Sequence, residues 1–346
     1  MRALMLVSVL VTGTLILVGM VAVLGHGTVL HRRARREARI IEPIRFRILD
    51  ALGDPFDPAV AGATLRELRR RERERLIVEL APAIHGESRH RLARAAELAG
   101  VVTNADAAAR SRRSSRRLLG ARLLTVLGAD APAMRALLAD RVPPVRAQAA
   151  EWATDHPRPE VIDRLIDLLS DRVPLARFSA HDALVRIGQP TVAPLLARTS
   201  TLSARGRSEA LSIARALPDP GFRAIALRAL SEPEPTLRAS ACGLLAALAL
   251  PDTEPALVAR LHDDDVLVRA AAARALPHVS AKAAALHLPL LLRDPGFDVR
   301  RSAAHALRSM GPVGTLLLRR VGEGDDRFAA EMARQTLALP EELLRR

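Results

Sequence analysis

The sequence predicts an all-α fold: a solenoid of about seven to eight stacked helix pairs with a repeat of roughly 31 residues, behind one apolar N-terminal span. Three observations predict it. Ala, Leu and Arg dominate, aromatic residues make up 2% and Tyr is absent, so helix formers abound while strand formers are scarce. An arginine recurs at a near-constant step, and an uncharged apolar run opens the chain.

The first element is that run. Ala3 to Leu24 holds only apolar, Gly, Ser and Thr residues, and about twenty such residues span a bilayer core. The competing reading, a cleaved leader, has a shorter apolar region followed by a small-x-small site, whereas Gly25-His26-Gly27 leads here into Val29-Leu30. A retained anchor is therefore expected over residues 1–30. Only Arg2 precedes the span, while Arg32, Arg33, Arg35, Arg36 and Arg39 follow it closely. The positive flank stays inside, which puts the N-terminus outside and the rest of the chain in the cytoplasm.

The net charge of +14 is uneven. Residues 1–122 hold 23 arginines against 12 acids, and residues 123–346 hold 29 basic residues against 26 acids. Basic clusters at 31–39, 69–75 and 110–122 thus lie nearest the membrane, where anionic headgroups attract each cation by about 1 kcal/mol. Lipid contact accounts for this charge more economically than nucleic acid. Residues 31–63 read as a basic juxtamembrane segment and linker: Ile40 to Leu52 is amphipathic but broken by Pro43, and Asp54-Pro55-Phe56-Asp57-Pro58 is a turn-rich connection.

Residues 64–338 read as the repeat array, and 339–346 as a tail. The recurring phrase is Leu-Leu-x-Asp, five residues, Arg, then a helix of small residues. Its copies begin at Leu137, Leu168, Arg260 and Leu291, with a degenerate one at Ala229. The arginines are Arg146, Arg177, Arg207, Arg238, Arg269 and Arg300, at steps of 31, 30, 31, 31 and 31 residues. Asp140, Asp171, Glu232, Asp263 and Asp294 each stand six residues ahead of their arginine, whereas Ser200 and Thr201 fill that place before Arg207. Each unit is two helices, a short amphipathic one such as Val161 to Leu169 and an alanine-rich one entered at Pro143, Pro174, Pro235 or Pro295. Weaker pairs precede and follow. Thr64 to Gly100 has Leu65, Leu68, Leu76, Ile77 and Leu80 inward and Arg91 near the arginine place, Ala107 to Gly128 has Arg116, and Val313 to Leu339 reads as a terminal cap.

This pattern resembles the HEAT family, and within it the short bacterial repeats also seen in phycobilisome lyase-type proteins. The resemblance implies a hydrogen-bonded ladder between neighbouring repeats, with Asp140, Asp171, Glu232, Asp263 and Asp294 as its acids and Arg146, Arg177, Arg238, Arg269 and Arg300 as its bases. These charges are then structural. Anchored proteins of this kind are often associated with membrane glycosyltransferases that make envelope polysaccharide, so the resemblance implies such an enzyme as partner.

No catalytic, cofactor or metal site is expected. The densest ligand cluster, His262-Asp263-Asp264-Asp265, is a between-helix turn that lacks the alternating oxygens and glycine of a calcium loop. HExxH, CxxC, GxSxG and phosphate-cradling glycine loops do not occur. His181 and His305 read as helix-surface residues of distant repeats. The one cysteine, Cys242, sits among small and apolar residues as a buried core thiol. Five residues after each register arginine come Glu151, Asp182, Ser212, Gly243, Arg274 and His305, a column on the side expected to be concave. Its charge runs from acidic to basic, and Glu151, Asp182, Arg274 and His305 are its candidate partner contacts.

Three function classes follow. A membrane-tethered interaction scaffold fits the long repeat surface and the missing catalytic constellation. A bilin lyase subunit, the enzyme alternative, wants aromatic pocket walls that one Trp and six Phe do not supply. Nucleic-acid binding wants stacking aromatics and a basic solenoid, and finds neither.

Overall fold

The computed structural model describes Met20 and residues 37–340. The apolar run at 3–24, apart from Met20, lies outside the described residues, as do Arg32, Arg33, Arg35, Arg36 and the end of the tail. Among the described residues no helix is long and apolar enough to cross a membrane. They form twenty α-helices and no strand, in two compact units divided between Ala133 and Met134.

The first unit contains α1 (Glu42–Ala51), α2 (Pro58–Arg66), α3 (Arg70–Leu80), α4 (Gly86–Leu98), α5 (Val101–Ala109) and α6 (Ser114–Leu127). Pro43 does not break α1, contrary to the sequence expectation. It sits in the first turn, where its missing amide costs no helical hydrogen bond. Pro58 opens α2 in the same way, and the Asp57 carboxylate accepts from the Ala59 amide at 2.8 Å, so helix pairing starts ahead of Thr64. Leu65, Leu68, Leu76, Ile77 and Leu80 are all buried. Close helix contact depends on two glycines: a Cβ at Gly62 would meet the Ala95 carbonyl at 3.1 Å, and one at Gly120 would meet the Ala105 carbonyl at 2.5 Å.

Arginines of this unit are partly consumed by its own structure. Arg91 donates to the Leu52 and Gly53 carbonyls, pairs with Asp54 at 2.8 Å and lies over the Phe56 ring, which pins the segment read as a linker. Arg73 donates to the Ala99 carbonyl at 2.6 Å, Arg70 and Arg75 pair with Glu74 and Glu79, and Arg110 pairs with Asp106. Arg39, Arg71, Arg112, Arg113 and Arg116 remain exposed.

The second array runs through α7 (Pro132–Leu137), α8 (Pro143–Ala153), α9 (Pro159–Leu168), α10 (Pro174–Ile187), α11 (Val192–Arg198), α12 (Ala204–Ala216), α13 (Arg223–Ala229), α14 (Pro235–Leu248), α15 (Glu254–Arg260), α16 (Val266–Val279), α17 (Ala281–Leu291), α18 (Phe297–Ser309), α19 (Pro312–Gly322) and α20 (Arg327–Ala338). Odd-numbered helices are first members of a pair and even-numbered ones second members. Second helices pack on their successors from α8 to α20. Their alanines, such as Ala270 to Ala273 and Ala303-Ala304, are buried and let the axes approach closely, while Leu165, Leu244, Leu276 and Leu307 fill the spaces between. Burying one such leucine contributes about 2 kcal/mol, and no pair could bury its face without a neighbour.

The last pair, read as a terminal cap, is mixed in character. Glu331 and Arg334 do pair on α20, but Val313, Leu316 and Phe328 stay 57%, 68% and 69% exposed.

Candidate partner-binding groove

The groove is positioned by the loops between first and second helices, and the charged register sets those loops. Asp140, Asp171, Asp263 and Asp294 each close their own turn by accepting the amide two residues on, at 2.8, 2.8, 3.1 and 2.7 Å. The arginine six residues later donates back to the carbonyl of that acid, as Arg146, Arg177, Arg269 and Arg300 do, and Arg238 does the same to Glu232. The same arginine then reaches forward. Arg146 donates to Asp171 at 2.9 Å, Arg238 to both oxygens of Asp263 at 2.9 and 2.7 Å, and Arg269 to both oxygens of Asp294 at 2.8 and 3.0 Å.

Each rung therefore ties a loop to itself and to the next repeat. Burial opposes ionisation of Asp263, but the Arg238 hydrogen bonds and the Asp265 amide outweigh it and hold the carboxyl below its ordinary range. The hydrogen bonds that Arg269 donates to Asp294 push its guanidinium the other way, upward.

Because the rungs point forward, the missing acid before Arg207 is felt one repeat earlier than the sequence implied. Arg207 has a partner, Glu232, at 3.0 Å. Arg177 is the arginine that finds no acid in the next loop, where Thr199 and Thr201 satisfy the turn by donating to the Leu195 and Arg198 carbonyls. It turns instead to Glu209 on α12 at 3.1 Å, and Glu209 also receives His181 at 2.8 Å. His181 is thus half-buried and hydrogen-bonded to Glu209, not a plain surface residue. A cleft of about 160 Å³ opens beside this irregular step, between Arg207, Glu232 and the side chains of Leu196, Ile225 and Leu237.

At the end of the array Arg300 has no forward carboxylate among the described residues and lies over the Phe297 and Phe328 rings at 5.8 and 5.5 Å. In the first unit Arg117, buried, donates back to its own loop, to the Ser111 and Arg112 carbonyls, as Arg73 does to the Leu68 carbonyl, and Arg116 is exposed. The register slips there by one residue.

The column on the second helices separates into two parts. Glu151 and Asp182 share Arg186, at 2.8 and 3.6 Å, and that guanidinium is raised above its ordinary value by the Glu151 hydrogen bond. One guanidinium thus offsets part of the charge of two carboxylates at the acidic end. At the other end Arg274 donates to the Ser302 hydroxyl at 2.7 Å and meets no carboxylate. Burial and the nearby Arg301 lower its value, and the same two causes lower His305. His305 is exposed on α18.

Between these ends α12, α14 and α16 enclose a cleft of about 630 Å³, whose floor is Ser212, Ser240, Gly243, Ala247 and Ala271. Arg215, Arg274 and His278 stand over it, and no acidic residue lines it. Arg215 and His278 were not picked out by the sequence reading. Cys242 lies beneath this surface, completely buried, with its thiol pushed up to about 12, chiefly by burial. Among the described residues no group of three or more His, Cys, Asp or Glu side chains could hold a metal ion.

Known proteins place this architecture. No curated protein matches the chain. The karyopherin Kap121p bound to the SUMO protease Ulp1p superposes with a TM-score of 0.54 at 12% identity, over 85% of this chain and 41% of that one. Kap95 in its complex with Nup1 superposes with a TM-score of 0.52 at 12% identity, over 87% and 50%. The chain thus spans about half of the karyopherins it matches, and these likenesses concern the fold alone. The CpcE–CpcF complex of phycocyanin lyase from Nostoc sp. PCC7120 aligns at 20% identity over 62% of this chain and 90% of that one, with a TM-score of only 0.37. The family model for HEAT repeats matches residues 131–217 and 222–308, just over half of the sequence. With the forward-pointing rungs and the paired helices, this match establishes that the chain belongs to the HEAT-repeat family.

Proposed function

We propose that this protein is a non-catalytic adaptor that holds a protein partner at the cytoplasmic face of a membrane. The observation that carries the reading is the cleft over α12, α14 and α16, where cations without acid partners overhang a floor of small side chains. A surface like this is open to a partner's main chain and short of counter-charge, and it contains no nucleophile paired with a base. The tether is supported by the uncharged run from Ala3 to Leu24, and the orientation by Arg32, Arg33, Arg35, Arg36 and Arg39 behind it. Residues 1–30 are the anchor in this proposal, 31–63 a basic segment that meets anionic headgroups, 64–338 the interaction body and 339–346 a tail. The partner is membrane-associated, and the resemblance to anchored HEAT proteins makes a glycosyltransferase of envelope polysaccharide its first candidate.

Fractionation tests the tether. The full-length chain should sediment with membranes and resist alkaline extraction, whereas a chain lacking residues 1–30 should stay in the supernatant. Full-length protein in the supernatant would overturn the membrane part of the proposal.

A further inference from the structure

The scaffold reading leaves the partner's chemistry open, and the electrostatics of the cleft narrow it. Of its cations, Arg215 makes no hydrogen bond or ion pair among the described residues, and Arg274 makes one, to a neutral hydroxyl. Along the ladder and beside it Arg146, Arg177, Arg186, Arg207, Arg238 and Arg269 are matched to carboxylates, whereas Arg300 lies over the Phe297 and Phe328 rings. Arg301, the neighbour that bears on Arg274, is itself paired with Asp298 at 2.9 Å and is not free to serve a ligand. Two arginines and His278 thus face one cleft with no negative charge in its lining.

The floor decides what kind of anion fits. Ser212, Ser240, Gly243, Ala247 and Ala271 project little, so a polypeptide backbone can lie close to α14 and place small apolar side chains against the alanines. Nucleic acid fits less well: the lining offers no Phe, Tyr or Trp ring on which successive bases could stack, and two arginines would neutralise few phosphates. A small free anion would leave most of the 630 Å³ unfilled.

We infer that the cleft across α12, α14 and α16 docks an acidic segment of the protein partner, in which carboxylates that meet Arg215 and Arg274 alternate with small apolar side chains. This rests on the scaffold reading and assigns its surface and its charge. Arg215 and Arg274 are specificity-determining cations here, and Gly243 keeps the floor low between them.

The experiment pans a random peptide library, displayed on phage, against the full-length chain, then measures selected peptides by fluorescence anisotropy. Two variants are compared with the wild type: Arg215→Glu with Arg274→Glu, and Arg320→Glu on the exposed side of α19 as a control. Selected peptides should be rich in Asp and Glu interspersed with Ala and Leu. The double reversal should weaken them on the order of tenfold or more and the control should not.

A peptide whose acids are replaced by Lys should bind the double variant better than the wild type, an outcome that a merely misfolded variant could not produce. Peptides without acidic enrichment, or binding indifferent to the double reversal, would overturn the inference, and so would an oligothymidine that displaced them. The two levels separate in cells: a protein crosslinked to the full chain but unaffected by the double reversal leaves the scaffold standing and removes this groove, whereas capture of no protein removes both.

Discussion

Asp263→Ala is the perturbation whose size the ladder geometry sets most closely. The Asp263 side chain is 4% exposed and accepts from Arg238 at 2.9 and 2.7 Å, from Arg260 at 3.3 Å and from the Asp265 amide at 3.1 Å. Removing it strands the Arg238 guanidinium, 14% exposed, with only the Glu232 and Pro233 carbonyls. Breaking a buried pair costs about 3–5 kcal/mol, and the two carbonyls that remain put this case at the lower end, about 3 kcal/mol. The Arg207–Glu232 rung is the internal control. Its side chains are 25% and 30% exposed, so Glu232→Ala should cost about 1 kcal/mol or less.

Urea titrations followed by far-UV circular dichroism, with hydrogen exchange on α14 and α16, would measure both. The pH dependence has a definite sign. A carboxyl depressed in the folded state contributes stability fully above its unfolded value, near pH 4, and loses it as pH falls through the lower folded value. Asp263→Ala should therefore flatten the loss of stability below about pH 4. Equal costs for the two variants, within about 0.5 kcal/mol, would refute the claim that the buried rungs hold the repeats in register.

Other expectations are as direct. Gly120→Ala puts a Cβ 2.5 Å from the Ala105 carbonyl and should cost about 2 kcal/mol by thermal melting, whereas Gly243→Ala, with only the Arg215 Cδ at 3.6 Å, should be neutral or gain up to about 1 kcal/mol from helix propensity. Cys242 should resist alkylation in the native state at neutral pH and react only on unfolding, because burial holds its thiol at about 12, a difference a thiol-reactive chromophore reads directly. Arg238→Lys keeps the charge but loses the two-pronged contact with Asp263, and should destabilise by about 1–2 kcal/mol in the same urea titration.

The stacked helix pairs were legible because the arginines keep a step of about 31 residues and alanines follow each of them. What the spacing could not show was direction. That Arg146 bonds Asp171 and not its own Asp140 side chain depends on how repeats stack, so the gap before Arg207 was assigned to the wrong arginine. Glu209 could not be found by register because it sits on α12 and not in a loop, and Arg117 escaped because its place lies one residue off the column. The partner of the acidic end could not be found by register either, since Arg186 is 35 residues from Glu151 in sequence and 2.8 Å from it in space.

A signal for the basic end did exist. Arg215 stands eight residues after Arg207, and His278 stands nine after Arg269 and four after Arg274. Carrying the column one turn further along each second helix would have brought both in.

Crosslinking from inside the cleft tests the central claim most directly. A photoreactive residue replaces Ser240 in the full-length chain, a second copy carries it at the exposed Leu316 on α19, and each is irradiated in cells before mass spectrometry. The account predicts one membrane-associated protein captured in stoichiometric amount from Ser240 and little from Leu316, with the captured peptide rich in acids. Only lipid and nucleic acid on the Ser240 probe, with no protein enriched, would contradict it and move the arginine-rich N-terminal third to the centre of the function.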